Sequence, residues 1–305
     1  FVIINDKNLS KLLFGKFITR FFSNIKYVFN KNTIKGSKKN IEAHYDLGNK
    51  FYEIWLDKSL TYSSALFSDN TTSLYEAQLN KYNRISDILK TTSSNKLLEI
   101  GTGWGGFLTS SKNDFDSLDS ITISKEQYAY TSLTHKNNSN VNIIYDDYRN
   151  ITKKYNSIVS IEMFEAVGQE YWNTYFQKIN NLLVKNGKAV VQTITIDDKL
   201  FDAYRNSTDA IRTFIFPGGM LPSPSIFIKY AKNNGFKVID EFSFGDSYSK
   251  TLDIWNDAFK KNIKSIEKLN FDEKFIRIWE YYLTSCSSSF INERTNVFQF
   301  TLQKN

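Results

Sequence analysis

At 305 residues the chain can bury a substantial core as one elaborated domain, and its 41% hydrophobic and 23% charged residues exclude general disorder. Cys286 is its one cysteine, which excludes an intrachain disulfide or a cysteine-built zinc cluster and fits a reducing cytoplasm. Lys plus Arg total 39 against 32 Asp plus Glu, and this net charge of +7 favours anionic partners, either phospholipid headgroups or nucleic acid.

No apolar run approaches the roughly 18 to 20 residues needed to span a bilayer, so membrane contact is expected to be peripheral. The first residue is Phe1 and not Met, as in a fragment or a processed product. Residues 9–39 mix Leu12, Leu13, Phe14, Phe17, Phe21 and Phe22 with Lys11, Lys16, Arg20 and Lys26, the pattern of a basic amphipathic segment. It suits a membrane surface or a helix packed on the main domain, and polar residues 31–40 read as a linker. Further on, β-favouring runs at 96–100, 120–124, 141–145, 157–161 and 188–196 accompany helical patterns at 74–90, 125–136 and 171–184. That alternation predicts a parallel sheet with helices on both faces, which 237–242 and 296–303 would complete as a hairpin pair.

The strongest local signal is Leu97-Leu98-Glu99-Ile100-Gly101-Thr102-Gly103-Trp104-Gly105-Gly106-Phe107, an apolar strand running into a glycine-rich turn before a helix. Glycines there allow close backbone approach to a nucleotide at the carboxyl end of the first strand. The spacing of Gly101, Gly103 and Gly106 suits NAD and S-adenosylmethionine equally. Context favours the latter. The second strand, Ser120-Ile121-Thr122-Ile123-Ser124, ends in a hydroxyl rather than the acid a dinucleotide ribose wants, and Asp119 precedes it. Glu99 is placed to brace the loop or the methionine end.

With that loop, further motifs occur in order: His44-Tyr45-Asp46-Leu47-Gly48-Asn49, Trp55-Leu56-Asp57, Leu60-Thr61-Tyr62-Ser63-Ser64-Ala65-Leu66-Phe67 and Ile123-Ser124-Lys125-Glu126-Gln127. Asp147-Tyr148-Arg149, Met163-Phe164-Glu165-Ala166-Val167-Gly168, Phe214-Ile215-Phe216-Pro217-Gly218-Gly219-Met220-Leu221-Pro222-Ser223 and Trp279-Glu280-Tyr281-Tyr282-Leu283-Thr284-Ser285-Cys286 follow. From about residue 41 to 305 the chain resembles the cyclopropane-fatty-acyl-phospholipid synthase family, the mycolic acid cyclopropane synthases included. The resemblance implies an α/β fold of the class I S-adenosylmethionine-dependent methyltransferase type, Rossmann-like, with a seven-stranded, mostly parallel sheet. It divides the chain into an N-terminal segment and linker (1–40) and a catalytic domain (41–305) with an acyl-binding insertion around 197–235. It implies transfer of a methyl(ene) carbon from S-adenosylmethionine to the double bond of an unsaturated phospholipid acyl chain, forming a cyclopropane fatty acid. The expected location is cytoplasmic, against the inner face of an anionic membrane, with a homo-oligomer left open.

By position in the family, Tyr62, Ser63, Gly101, Gly103, Thr122, Gln127, Asp147 and Tyr148 are the expected cofactor contacts. The family's bound bicarbonate, acting as the base, implies catalytic roles for Glu165 and Tyr248, the latter in Phe244-Gly245-Asp246-Ser247-Tyr248. Ser64 stands where well-known members carry cysteine, Gln192 where they carry histidine, and Ala166 where histidine is frequent; Ser64 and Gln192 can still hydrogen-bond an oxyanion. A branch of the family that makes methyl- or methylene-branched acyl chains also carries serine and glutamine at such places. Of the two histidines, His44 lies in the opening motif and His135 is expected to be solvated on a polar helix, so neither a histidine base nor a metal site is expected. Competing readings are a small-molecule methyltransferase with a polar acceptor pocket, a non-catalytic lipid-binding scaffold and an RNA methyltransferase. The last lacks any Asn-Pro-Pro-Tyr-like tetrapeptide, and no nucleic-acid partner is expected.

Overall fold

The computed structural model describes residues 47–70, 73–90, 95–207 and 209–305. The segment and linker expected at 1–40, and His44, lie outside the described residues. The strands are β1 (Lys96–Ile100), β2 (Ser117–Thr122), β3 (Val141–Tyr145), β4 (Tyr155–Ile161), β5 (Leu183–Ile196), β6 (Phe236–Ser243) and β7 (Thr295–Lys304). The α-helices are α1 (Asn49–Glu53), α2 (Leu74–Leu89), α3 (Gly106–Ser111), α4 (Lys125–Thr134), α5 (Trp172–Leu182), α6 (Phe201–Arg205), α7 (Ala210–Phe214), α8 (Pro224–Asn233), α9 (Gly245–Lys261), α10 (Ile263–Glu267) and α11 (Glu273–Ile291).

The strands form one seven-stranded sheet in the order β3-β2-β1-β4-β5-β7-β6, parallel from β3 to β5 and antiparallel across β7 and β6. Successive strand residues point to opposite faces, and here both faces are apolar. Leu97, Val159 and Val190 pack under Ile85 and Leu89 of α2 and Phe107 and Leu108 of α3. Their neighbours Leu98, Ile158, Ala189 and Val191 face Trp172, Phe176 and Ile179 of α5 and Phe227 and Ala231 of α8. A sheet covered on both sides needs nearly continuous apolar strands, which is why these read so clearly in the sequence.

β6 and β7 do pair antiparallel, but not as a hairpin. The chain leaves β6, forms α9 to α11, and returns as β7 between β5 and β6. Burial explains this order: Val297 and residues 299 to 302 of β7 are buried, whereas β6 alternates between exposed and covered positions, as an edge strand does. β2 begins earlier than its apolar run suggests because Asp119 is satisfied inside the sheet. It accepts hydrogen bonds from Tyr155 Oη (2.8 Å), Lys153 Nζ (2.6 Å) and Asn142 Nδ2 (3.1 Å). The strand ends at Thr122, leaving Ser124 to cap α4 by accepting from the Gln127 N–H.

A third cluster closes the carboxyl end of the sheet. Phe51, Tyr52 and Trp55 from α1 and its following turn pack with Trp255 and Phe259 of α9 and Trp279 and Tyr282 of α11. The region expected as an acyl-binding insertion divides in two: α6, α7 and residues 216–221 border the space under this aromatic roof, while α8 is an ordinary helix on the sheet. No helix among the described residues is long and apolar enough to cross a membrane.

The roof makes a direct prediction. Phe51 is fully buried with its ring centroid 4.9 Å from Phe271 and 5.1 Å from Trp279. Phe51→Ala should cost about 3–5 kcal/mol of stability, read as a lower urea midpoint, through the cavity left between α1 and α11. An unchanged midpoint would show that α1 is not held by this contact.

Candidate active site

β1 ends at Ile100 and the chain turns through Gly101 and Gly103 into α3. Gly103 has φ +53°, and a Cβ built on it would meet no atom within 4 Å, so the backbone there borders open space. At Gly106 the requirement is close approach: a Cβ would stand 2.6 Å from Tyr82 Oη, which seats α3 against α2. Glu99 enters the loop from below with 2% exposure. Burial pushes its carboxyl up to about 8, against a hydrogen bond from Ser120 Oγ at 2.5 Å.

The open space is a cavity of about 500 Å³, within the range of small-molecule sites. Tyr62, Ser63, Gly101, Gly103, Thr122, Gln127, Asp147 and Tyr148 all line it, as do Glu165 and Tyr248. Thr122 Oγ1 donates to Gln127 Oε1 at 2.8 Å, joining β2 to α4. Asp147 is gripped by the Arg149 fork at 2.8 and 2.6 Å, which fixes its carboxylate at the wall. The Tyr62 and Tyr282 hydroxyls lie 2.9 Å apart under the roof. His135 corrects the sequence expectation: it is 5% exposed, not solvated, because as the C-cap of α4 it folds against Gly105 and Thr109 of the loop and its helix. Burial holds its ring below the usual range.

Ser64 and Gln192 do not line the cavity; they stand behind its wall and point their donors at Glu162, a residue that the sequence reading passed over. Glu162 follows β4 with φ +48°, a left-handed conformation that costs a non-glycine residue energy. Its Oε1 accepts from the Ser64 N–H (2.9 Å) and from Gln192 Nε2 (2.8 Å), and its Oε2 accepts from Tyr248 Oη (2.6 Å). The Ser64 hydroxyl is spent on the Ala65 carbonyl. A second residue missed from sequence is Lys81 of α2, fully buried, with Nζ 2.6 Å from both Ser63 Oγ and Gln78 Oε1. Burial lowers its ammonium to about 7, opposed by the charge of Glu162; burial likewise raises Glu162, opposed by the Tyr248 hydrogen bond and by Lys81. Two signals in the sequence could have found the pair: an acid at the carboxyl end of a central strand, where α/β sites gather, and a lysine on the apolar face of α2 beside Tyr82 and Ile85.

Glu165 is held differently. Its Oε1 accepts from the Ile194 N–H at 2.6 Å, and Oε2 is buried with no hydrogen-bond partner among the described residues. Burial, then the negative charge of Glu162, push its carboxyl up to about 8. Near neutral pH Glu165 is therefore largely the protonated acid, while three donors and Lys81 favour the ionised form of Glu162. Burial raises both carboxyls, and the donors and positive charge that oppose it are concentrated at Glu162. The same donors bear on the fit of a bicarbonate: among the described residues, Ser64, Gln192 and Tyr248 are committed to Glu162 and Ile194 to Glu165, so these four are not left for a further oxyanion.

Much of the remaining wall is apolar or aromatic, with Ile194, Phe216, Met220, Leu221, Leu252 and Phe290 prominent, and Asp146, Asp209, Arg212 and Arg294 add charged groups to it. Cys286 joins it as a neutral thiol, pushed up to about 12 by burial. The geometry thus combines a glycine-loop cradle, a buried carboxylate held by three donors and a pocket with a large apolar wall.

The family model described as mycolic acid cyclopropane synthetase matches residues 32–300. The tuberculostearic acid methyltransferase UfaA1 of Mycobacterium tuberculosis is 34% identical over 281 residues, 87% of this chain and 65% of that protein. The cyclopropane-fatty-acyl-phospholipid synthase of Escherichia coli is 33% identical over 250 residues, 82% of this chain and 63% of its own length. The chain thus spans somewhat under two thirds of the length of these two relatives. Among solved structures, the mycolic acid cyclopropane synthase CmaA1 complexed with SAH and CTAB superposes with a TM-score of 0.82 at 30% identity, covering 88% of this chain and 98% of that one. The Rossmann-like sheet with its glycine loop is the S-adenosylmethionine-dependent methyltransferase fold, and the chain belongs to the mycolic acid cyclopropane synthetase family.

Proposed function

We propose that this chain transfers the methyl carbon of S-adenosylmethionine to the double bond of an unsaturated phospholipid acyl chain, with Glu162 taking the proton that must then leave, to give a methylene-branched product. The observation that carries this reading is the convergence of Ser64, Gln192 and Tyr248 on the Glu162 carboxylate.

The cradle suits the cofactor, because Gly103 leaves room at a positive φ and Glu99 lies buried beside the loop. Tyr62, Ser63, Gly101, Gly103, Thr122, Gln127, Asp147 and Tyr148 would hold it. S-adenosylmethionine supplies a sulfonium methyl, an electrophile strong enough for a carbon–carbon double bond. The apolar wall positions the acyl chain and excludes water, which would otherwise capture the cation left on the neighbouring carbon. Aromatic faces such as Tyr62, Tyr282 and Phe290 offset its charge. A hydride shift from the methyl-bearing carbon moves the cation there. Glu162 then removes a proton from the transferred methyl, and that C–H pair becomes the double bond of the methylene branch. Proton loss without the shift closes a cyclopropane ring instead. The ring is the second reading, favoured by the relatives that are named cyclopropane synthases. The methylene product is placed first because the donors expected to hold bicarbonate are committed to the chain's own acid, and because UfaA1 is named a methyltransferase. A net charge of +7 supports an anionic membrane surface as the source of the acyl chain.

Incubation with methyl-labelled S-adenosylmethionine and liposomes of unsaturated phospholipid, followed by mass spectrometry and proton NMR of the released fatty acids, tests this. Vinylidene protons on labelled acyl chains are expected. Ring protons would move the assignment to the second reading, and no lipid label from a chain that still binds SAH by calorimetry would sink the lipid acceptor.

Glu162→Gln should lose roughly 10²–10⁴-fold in turnover while retaining SAH affinity, the scale of a positioned base. Glu165→Gln should stay within about tenfold of wild type, because a neutral amide resembles the protonated acid; a loss equal to that of Glu162→Gln would show that the roles are reversed. Turnover should also fall toward acid as Glu162 is protonated. Because burial raises that carboxyl, the midpoint should lie above the value of about 4.3 for a free glutamate. A midpoint at or below that value would refute the buried base.

A further inference from the structure

We propose that Arg84 and Gln299 are positioning residues that fix Gln192 as a hydrogen-bond donor to Glu162. The proposal rests on the reading of Glu162 as the base. Gln192 and Gln299 are fully buried partners in register across β5 and β7. Arg84 Nη1, from α2, donates to Gln299 Oε1 at 2.7 Å; Gln299 Nε2 donates to Gln192 Oε1 at 3.0 Å; Gln192 Nε2 donates to Glu162 Oε1 at 2.8 Å.

A side-chain amide carries an acceptor at one end and donors at the other, so each of these glutamines could in principle be reversed. A guanidinium has donors only. With Arg84 at its end, Gln299 must turn its oxygen outward and its NH₂ inward, which obliges Gln192 to do the same. Reversing Gln192 would set an amide oxygen against the Glu162 carboxylate, two acceptors with no proton between them. The orientation of the donor at the active site is therefore set from α2 by way of β7. Arg84 is in turn held in place: Nη2 donates to Asp240 Oδ2 of β6 at 2.5 Å, and its guanidinium carbon lies 4.0 Å from the centre of the Phe242 ring.

The other titratable groups around Glu162 are Lys81 and Tyr82 from α2, Glu165 beyond β4, Tyr248 from α9 and Tyr282 from α11. None of them can turn an amide. Losing the relay should weaken support for the ionised form of Glu162 and leave the cofactor cradle unchanged.

The experiment compares the pH dependence of lipid methylation for wild type, Arg84→Met, Arg84→Lys, Gln299→Leu and Gln299→Glu, with SAH affinity and thermal midpoint measured for each. Arg84→Met and Gln299→Leu should move the acid limb upward by on the order of one pH unit, with kcat reduced at neutral pH and KM for lipid unchanged. Arg84→Lys, which still donates, should return the limb toward wild type. Gln299→Glu keeps the shape but removes the inward donor, so it should shift the limb further than Gln299→Leu. A double-mutant cycle separates relay from long-range charge: in a Gln192→Leu background the extra effect of Gln299→Glu should vanish. An extra effect that persists there overturns the relay, as does an acid limb unmoved in Arg84→Met. The two readings fail separately. Full turnover by Glu162→Gln removes the base itself, whereas an inactive Glu162→Gln beside an Arg84→Met of wild-type pH profile removes only the relay.

Discussion

A carboxylate withdrawn from water is the constraint around which this molecule is arranged. Glu162 sits at the end of a central strand in a backbone conformation that a non-glycine residue adopts only at a cost. Removing its charge from water would by itself favour the neutral acid. Three donors, from the segment before α2, from β5 and from α9, oppose that tendency, with Lys81 adding a positive charge from α2. Because burial also makes ammonium costly for Lys81, both partners are pulled toward neutrality and neither wins outright. On the proposed reading of Glu162 as the base, that balance suits it to take the proton that the carbocation must lose.

Elsewhere in the cavity the same physics gives the opposite result. Glu165, three residues on, has one backbone donor and the field of Glu162, so it keeps its proton. Cys286, Tyr248 and Tyr282 are likewise held in their neutral forms, chiefly by burial. Among the titratable groups of the pocket, Glu162 is thus the buried acid with the most donors opposing its burial, while the Asp147 carboxylate at the wall is paired with Arg149.

The parts legible in the sequence are those fixed by local pattern. Apolar strands covered on both faces announced the parallel half of the sheet, and the run from Leu97 to Phe107 announced the loop, because glycines at those spacings have few other uses. The residues expected along the cofactor wall do share one cavity. What could not be read depended on contacts distant in sequence. The one local sign of Lys81 is its place on the apolar face of α2; the partner that receives its ammonium, Ser63, is 18 positions away. Glu162 reads as an ordinary acid after a strand until Gln192 and Tyr248 are folded onto it, 30 and 86 positions later. The insertion of β7 between β5 and β6 reflects which strand is buried on both faces, a property of the finished sheet. His135 looked solvated because its neighbours in sequence are polar, whereas its neighbours in space are Gly105 and Thr131.

The same long-range dependence explains why Ser64 and Gln192 matter despite lying behind the cavity wall. Replacing a cysteine–histidine pair with serine and glutamine could be taken as loss of a catalytic constellation. Here the serine contributes a backbone N–H, which any residue other than proline supplies, so its side-chain identity is free to change. The glutamine position is not free: its amide must both accept from Gln299 and donate to Glu162, and a neutral histidine could meet both demands only in the matching tautomer. Glutamine has no such titration. On the relay proposed for Arg84 and Gln299, its donor end stays turned to Glu162, and the position adds no titratable group to those already there, Glu162, Glu165, Tyr248 and Lys81.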